Sequence, residues 1–477
     1  MTEQAARIEQ HTIYPIPASE RHGRARDLFT VWFGSNIMIL TIVTGALATV
    51  QFKLSLTAAV FAILIGNLVG GIFMALHAAQ GPQLGVPQMV QSRGQFGSYG
   101  AIFVVALVVV MYLGFVASNL VLGGQSLHSI AGGISDQWGI VLIALLSLAA
   151  AIYGYDLIHA YARWMTWFCG AALAACFFWI LVVRGVPADI WQRGGLTSSG
   201  FLGMISVGAL WQIAYAPYVS DYSRYLPRRT PRYQIILNVF AGSALSAIWL
   251  IALGAWLATR MGVTDGLIAL KRSGDVVWPG LGSVLAATSI AALIATIGMN
   301  AYSAMLTVIT SVDSLRPVVP TRAWRVAVIL AATAVWILIA VGFGNDAVTM
   351  VNAMLIIMLY FLMPWTAVNL IDYFLLRRGR YSIQDLCTPE GIYGAWGGRG
   401  LTAYAVGFAA SIPFFVVPNF FTGPLAQRLG GIDIGWIVSL AAASAAYLFL
   451  SRRFDAADEA SAVRASEAAF QSSGGMP

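Results

Sequence analysis

The chain has 477 residues, of which 10% are charged and 59% hydrophobic, and its mean hydropathy is +0.77. A soluble domain carries about 25% charged residues, so the composition excludes an ordinary soluble domain and places the chain in a membrane. The net charge of +7 sits in short basic clusters between apolar runs, a distribution that argues against a nucleic-acid partner.

From the N-terminus the chain is polar for more than twenty residues, which speaks against a cleavable signal peptide. Residues 1–27 read as a tail. Thereafter a helix needs roughly 20 apolar residues to cross the bilayer core. That rule predicts about twelve spans, near 28–50, 55–78, 100–125, 138–155, 163–184, 199–220, 234–258, 281–310, 323–343, 347–376, 401–420 and 434–452. The first ten, over 28–376, are expected to form one core. A loop at 377–400 follows, then two accessory spans over 401–453 and a tail at 454–477. That tail is rich in Ala, Ser, Asp and Glu and reads as solvated or disordered.

Lys and Arg near span ends set orientation. Arg21, Arg24, Arg26, Arg93, Arg163, Arg224, Arg228, Arg229, Arg232, Arg316, Arg322, Arg325, Arg377, Arg378 and Arg380 all fall on one side. Arg184, Arg193, Arg260, Lys271 and Arg272 are exceptions on the other. Both termini are therefore expected in the cytoplasm of a plasma-membrane protein.

Ten spans divide into two sets of five, and an odd number inverts the second set relative to the first, as in many secondary transporters. The leading span of each set should then be interrupted. The first holds "WFGSN" and the sixth "GALWQIAYAPYVSDYSRYLP", with Gly34, Ser35, Asn36, Gly208 and Pro217 as breakers.

Polar residues in mid-span are costly and face a cavity or another helix. Span one offers Ser35 and Asn36. Span three places Phe115 and Asn119 one turn apart on one face. Span six offers Trp211, Gln212 and Tyr215. Span eight has Thr296, Asn300, Tyr302 and Ser303 around a turn loosened at Gly298. An aromatic face beside an amide suits a flat polar heterocycle, because the ring stacks while Asn or Gln donates to and accepts from its edge. Each amide also fits a helix–helix hydrogen bond worth on the order of 1 kcal/mol. No carboxylate is central. Asp221 with Arg224 one turn on reads as a gate, a coupling element or a structural ion pair.

Three cysteines without a CxxC pair and five scattered histidines point to no metal and no cofactor. There is no HExxH or GxSxG, so an intramembrane enzyme is disfavoured. A channel would need a filter ring.

"WFGSN", "GPQLGVPQMVQSRGQFG", "YAPYVSDYSRYLP" and "IDYFLLRRGRYSIQDL", in that order, resemble the nucleobase–cation symporter family, in its purine–cytosine permease branch. The resemblance implies an all-α integral membrane protein of the leucine-transporter fold, a 5+5 inverted repeat plus two helices. It makes the glycine-rich stretch at 81–97 a cytoplasmic link beneath the moving bundle. It puts the stacking aromatics at Phe115 and at Trp211 or Tyr215, and the amides at Asn119 and Asn300, with Gln212, Asn36 and Met38 alongside. In sodium-coupled relatives the ion is held by carbonyls, here of Gly34, Ile37 and Ala295, and by two hydroxyls. The positions matched to those hydroxyls are Gly298 and Met299, so two of the oxygens a hard cation needs are missing. Thr296 and Ser303 point elsewhere on a regular helix.

The expected function is import of an uncharged nucleobase, cytosine or a purine, by alternating access and coupled to protons rather than sodium. Hydantoin, allantoin or a pyrimidine vitamin precursor is the alternative substrate. The expected partners are the heterocycle, the coupling cation and the lipid bilayer.

Overall fold

A computed structural model describes residues 12–472, apart from 154, 180–181, 183–186, 262–265, 317, 344–346, 389–390 and 418–419. The chain opens with α1 (Ala25–Asn36), α2 (Ile39–Val50) and α3 (Leu56–Ala78). Three one-turn helices follow, α4 (Gly81–Leu84), α5 (Gln88–Gln91) and α6 (Arg93–Phe96). The long helices α7 (Ser98–Ile130), α8 (Asp136–Tyr153) and α9 (Tyr155–Phe178) come next.

The second half runs through α10 (Ser198–Ile213), α11 (Val219–Ser223), α12 (Arg232–Met261), α13 (Gly266–Val277), α14 (Leu281–Leu315), α15 (Arg322–Phe343) and α16 (Ala347–Ile371). The C-terminal part holds α17 (Ile383–Leu386), α18 (Gly398–Ser411), α19 (Pro424–Arg428), α20 (Gly435–Leu450) and α21 (Ala460–Ser472). A hairpin of β1 (Val416–Val417) and β2 (Phe421–Thr422) lies between α18 and α19.

Among the described residues, seven helices are long and apolar enough to cross a bilayer, and the bent pair α1 and α2 makes an eighth span. The protein is thus an all-α, multi-span membrane protein. Apolar α8 and α20 are shorter.

Glycine sets how closely the central helices approach. A Cβ at Gly45 on α2 would stand 1.9 Å from the Ile251 carbonyl oxygen of α12, and one at Gly254 would stand 1.7 Å from that of Ile42. Gly66 and Gly70 on α3 meet the Ile205 and Ala209 carbonyls of α10 in the same way, at 2.4 and 2.2 Å. In lipid, association rests on such close packing rather than on hydrophobic burial. The result ties α2, α3, α10 and α12 into one block.

Three expectations need correction. The span expected over 401–420 is helical only to Ser411. Pro413, which lacks an N–H, lies in a 3₁₀ turn over Ile412–Phe414, and the chain then leaves the helix for the hairpin. The helix through span eight is unbroken, so Gly298 loosens nothing; it is where α8 packs, a Cβ there lying 2.9 Å from Ala150. The tail expected to be solvated or disordered folds into α21 over Ala460–Ser472. Its anchors are distant in sequence: Glu459 pairs with buried Arg377 at 2.7 Å, and Glu467 with Arg228 at 2.7 Å.

Candidate functional site

Two interrupted helices make the site. Gly34, Ser35 and Asn36 form a weakly helical end to α1, and Ile37 and Met38 leave the helix (φ −77°, ψ 65° and φ −140°, ψ 157°) before α2 departs at 62°. The carbonyls freed by the break are taken up by hydroxyls. Thr41 Oγ1 donates to Asn36 O at 2.7 Å, and Thr296 Oγ1 of α14 donates to Ser35 O at 3.2 Å. In the second interruption a 3₁₀ turn, Ala216–Tyr218, separates α10 from α11, with Pro217 inside it.

The buried amides around these breaks fall into two groups. Asn36 is fully engaged by the protein. Its Nδ2 donates to Trp32 O, Ser243 O, Ser243 Oγ and Ser246 Oγ at 3.0–3.3 Å. Its Oδ1 accepts from Trp211 Nε1 at 2.7 Å and from Tyr215 OH at 3.0 Å. Gln212 is likewise engaged, donating to Asn67 Oδ1 at 2.9 Å and accepting from Ser243 Oγ at 2.6 Å. These two residues knit α1, α3, α10 and α12 together. Met38 is buried at the break.

Asn119 is different. It is fully buried, and neither Oδ1 nor Nδ2 has a hydrogen-bond partner. Asn300 Nδ2 on α14 is in the same condition, as are Ser303 Oγ and Tyr112 OH. Buried polar atoms are nearly always satisfied, so an amide left open on both atoms is an invitation to a ligand edge. Tyr112 was absent from the candidates read from the sequence, although it lies three and seven residues before Phe115 and Asn119 and so shares their face. Asn67, Ser243 and Ser246 were absent too; nothing local marks them as the partners of Gln212 and Asn36.

Phe115 is 7% exposed, and its ring centroid lies 5.8 Å from that of Trp211, tilted by 55°. A base held between two rings needs about twice the ~3.5 Å contact distance, so the rings stand closed on one another. Tyr215 packs instead against Trp32 at 5.3 Å and Tyr218 at 5.9 Å.

At the positions matched to an ion site, Gly34 O accepts from Ile37 N at 3.1 Å. Ala295 is buried on α14. Gly298 faces Ala150 on α8, and the Met299 carbonyl accepts from Tyr222 OH at 3.0 Å. Thr296, expected to point away, is the hydroxyl that meets span one.

The glycine-rich stretch after α3 is buried almost throughout. Asp221 on α11 accepts from Gln88 N at 2.9 Å, and Arg224 donates to Tyr302 OH at 3.1 Å. Arg93 pairs with Asp313 at 2.9 Å and donates to Thr310 O and Leu386 O. Gln95 joins Asn369, Asp372 and Tyr381, and His77 stacks on Trp365 with centroids 4.5 Å apart. The segment therefore binds α3, α11, α14 and α16 together.

Comparison with known proteins gives the family and the fold. Residues 15–439 match the family described as permeases for cytosine/purines, uracil, thiamine and allantoin. The candidate purine–cytosine permease YxlA of Bacillus subtilis is 38% identical over 450 residues, covering 94% of this chain and 96% of that protein. The purine–cytosine permease fcyB of Emericella nidulans is 25% identical over 465 residues, covering 93% and 88%. In fold the chain is similar to Mhp1, a nucleobase-cation-symport-1 family transporter solved in a closed conformation with bromovinylhydantoin bound. The TM-score is 0.75 at 19% identity, with 94% and 97% of the two chains covered.

Proposed function

The chain belongs to the family of permeases for cytosine/purines, uracil, thiamine and allantoin, and we propose that its own substrate is an uncharged nucleobase, cytosine or a purine. Its family and fold are those of transporters and not of enzymes. It is a secondary transporter of small heterocycles that works by alternating access.

The observation that carries the choice of substrate is Asn119, an amide whose donor and acceptor are both buried and both open. A nucleobase edge presents a matching acceptor and donor. Asn300 Nδ2 extends that edge, and Phe115 and Trp211 part to take the ring between them. No ionised side chain is among these groups, which suits a neutral ligand. Asn36 and Gln212 line the site from behind as positioning residues, with Tyr215 and Met38 at the breaks.

The finer architecture is part of the same proposal. The interruptions at Ile37–Met38 and at Ala214–Tyr218, each in the leading helix of its half, support a 5+5 inverted repeat of the leucine-transporter kind with two further helices, twelve spans in all. The arginine-rich face, with both ends of the chain on it, is the cytoplasmic one in the plasma membrane. Asp221 and Arg224, bonded to Gln88 and Tyr302, serve as coupling elements between α11 and its neighbours. The driving ion is a proton.

Uptake of labelled cytosine into vesicles containing the purified protein, competed by adenine, hypoxanthine, uracil, hydantoin, allantoin and pyridoxine, tests the substrate. Cytosine and purines should compete in the micromolar range. Competition by hydantoin or allantoin alone would move the assignment to the alternative substrates.

A further inference from the structure

Where the stretch before α1 meets α21, a cavity of about 880 Å³ opens, within the roughly 300–1,000 Å³ of small-ligand sites. Distant segments build it: the stretch before α1 gives Arg21, α4 gives Gln83, the link from α11 to α12 gives Arg228 and Arg229, and the turn after α16 gives Arg380. Four guanidinium groups line the space. Among the described lining residues the one carboxylate is Glu467 of α21, whose Oε1 lies 2.7 Å from Arg228 Nη2.

Arg21 is fixed in place. Its Nε donates to Ile16 O at 2.9 Å and its Nη1 to Pro82 O at 2.6 Å. Gly85 holds a left-handed φ of 71°, and a Cβ there would stand 2.1 Å from Arg21 Nη2. Burial, and after it the charges of Arg228 and Arg224, bring the Arg21 guanidinium down from 12.5 to about 10. A buried guanidinium that feels other positive charges lies in surroundings short of negative charge.

We propose that this cavity binds a phosphate-bearing anion, held by Arg21, Arg228, Arg229 and Arg380, with Glu467 as an internal competitor for Arg228. A phosphate group offers several oxygens and more than one negative charge to converging guanidinium forks, which a single carboxylate cannot match. Glu467 neutralises one of the four cations and leaves the remainder. The same chemistry is supplied by a soluble phosphorylated compound or by the headgroup of an anionic lipid at the membrane surface.

The test uses the full-length protein. In neutral detergent, pyrophosphate should raise the melting temperature saturably, and chloride at matched ionic strength should not. The half-effect concentration should rise about tenfold in Arg228→Gln and in Arg380→Gln, each of which removes a charge-assisted contact. It should fall severalfold in Glu467→Gln, a shift in the opposite direction that loss of folded protein cannot imitate. The same protein in phosphatidylcholine vesicles with and without phosphatidylglycerol reads the lipid source. A response to pyrophosphate assigns a soluble ligand, and a response to phosphatidylglycerol alone assigns the headgroup. No saturable response to either, or a response unchanged in all three variants, overturns the proposal.

Discussion

At the scale of single residues, the two asparagines make opposite predictions. Asn119 has no partner to lose, so Asn119→Ala should leave thermal stability unchanged while lowering uptake at least about tenfold, since an unmet substrate edge costs more than about 1 kcal/mol. Asn36 has six partner atoms within hydrogen-bond reach across three elements, so Asn36→Ala should lower the melting temperature markedly as well as uptake. Melting curves and initial rates on both variants check this; equal destabilisation of the two would remove the distinction. Phe115 adds a second prediction. Phe115→Trp should keep uptake and Phe115→Ala should weaken it, stacking being worth roughly 1–3 kcal/mol per base. Equal KM values for the two variants would show that the ring is no platform. The sequence brought these amides to mid-span, but it did not say which were satisfied. The difference lies in Ser243 and Ser246, more than 200 residues from Asn36, and no local pattern registers such a pairing.

At the scale of elements, legibility follows the range of the forces. The breaks in α1 and after α10 were readable because Gly34, Asn36 and Pro217 act on their own backbone. The hairpin after α18 was not, although Pro413 could have shortened the predicted span. It is closed by tertiary contacts: Tyr360 OH donates to Asp433 Oδ2 at 2.9 Å and accepts from Val416 N at 2.8 Å, and its ring stacks on Phe415 at 3.6 Å. Asp433, in the loop after α19, is buried, and that burial raises its carboxyl from 3.8 to about 6. A raised acid favours the folded hairpin while protonated, and the advantage is lost as pH rises through about 6. Amide exchange over 416–435, corrected for intrinsic rates, should therefore be slower at pH 5 than at pH 7.5. Asp433→Asn, uncharged at both, should remove the difference. An identical pH dependence in the variant would show that another group is responsible.

At the scale of the whole molecule, the transport cycle needs an ion, and the structure bears on which one. A sodium ion, like other hard cations, needs a shell of oxygens. Around the first break the carbonyls of Gly34, Ile37 and Ala295 stand at the matched positions, but Gly298 faces α8 and Met299 offers only a carbonyl, already bonded to Tyr222. The hydroxyls seen at the break, of Thr41 and Thr296, are committed to Asn36 O and Ser35 O. A sodium ion here would depend on water for much of its shell. Two buried carboxylates near the moving elements are ion-paired, Asp313 to Arg93 at 2.9 Å and Asp372 to Arg377 at 2.6 Å. Asp221 sits on α11 itself, 2% exposed, and accepts from the backbone of Gln88 in the link beneath the bundle. Protonating it would weaken its bond to Gln88 N, one of the contacts between α11 and the link, and so favour movement of the element. Initial rates in proteoliposomes should be indifferent to replacing sodium by potassium or choline and should collapse with a protonophore. Asp221→Asn should retain substrate binding but lose accumulation against a gradient. A saturable sodium requirement that survives the protonophore would overturn this, and would mean that backbone oxygens, Thr296 and water together build the ion site.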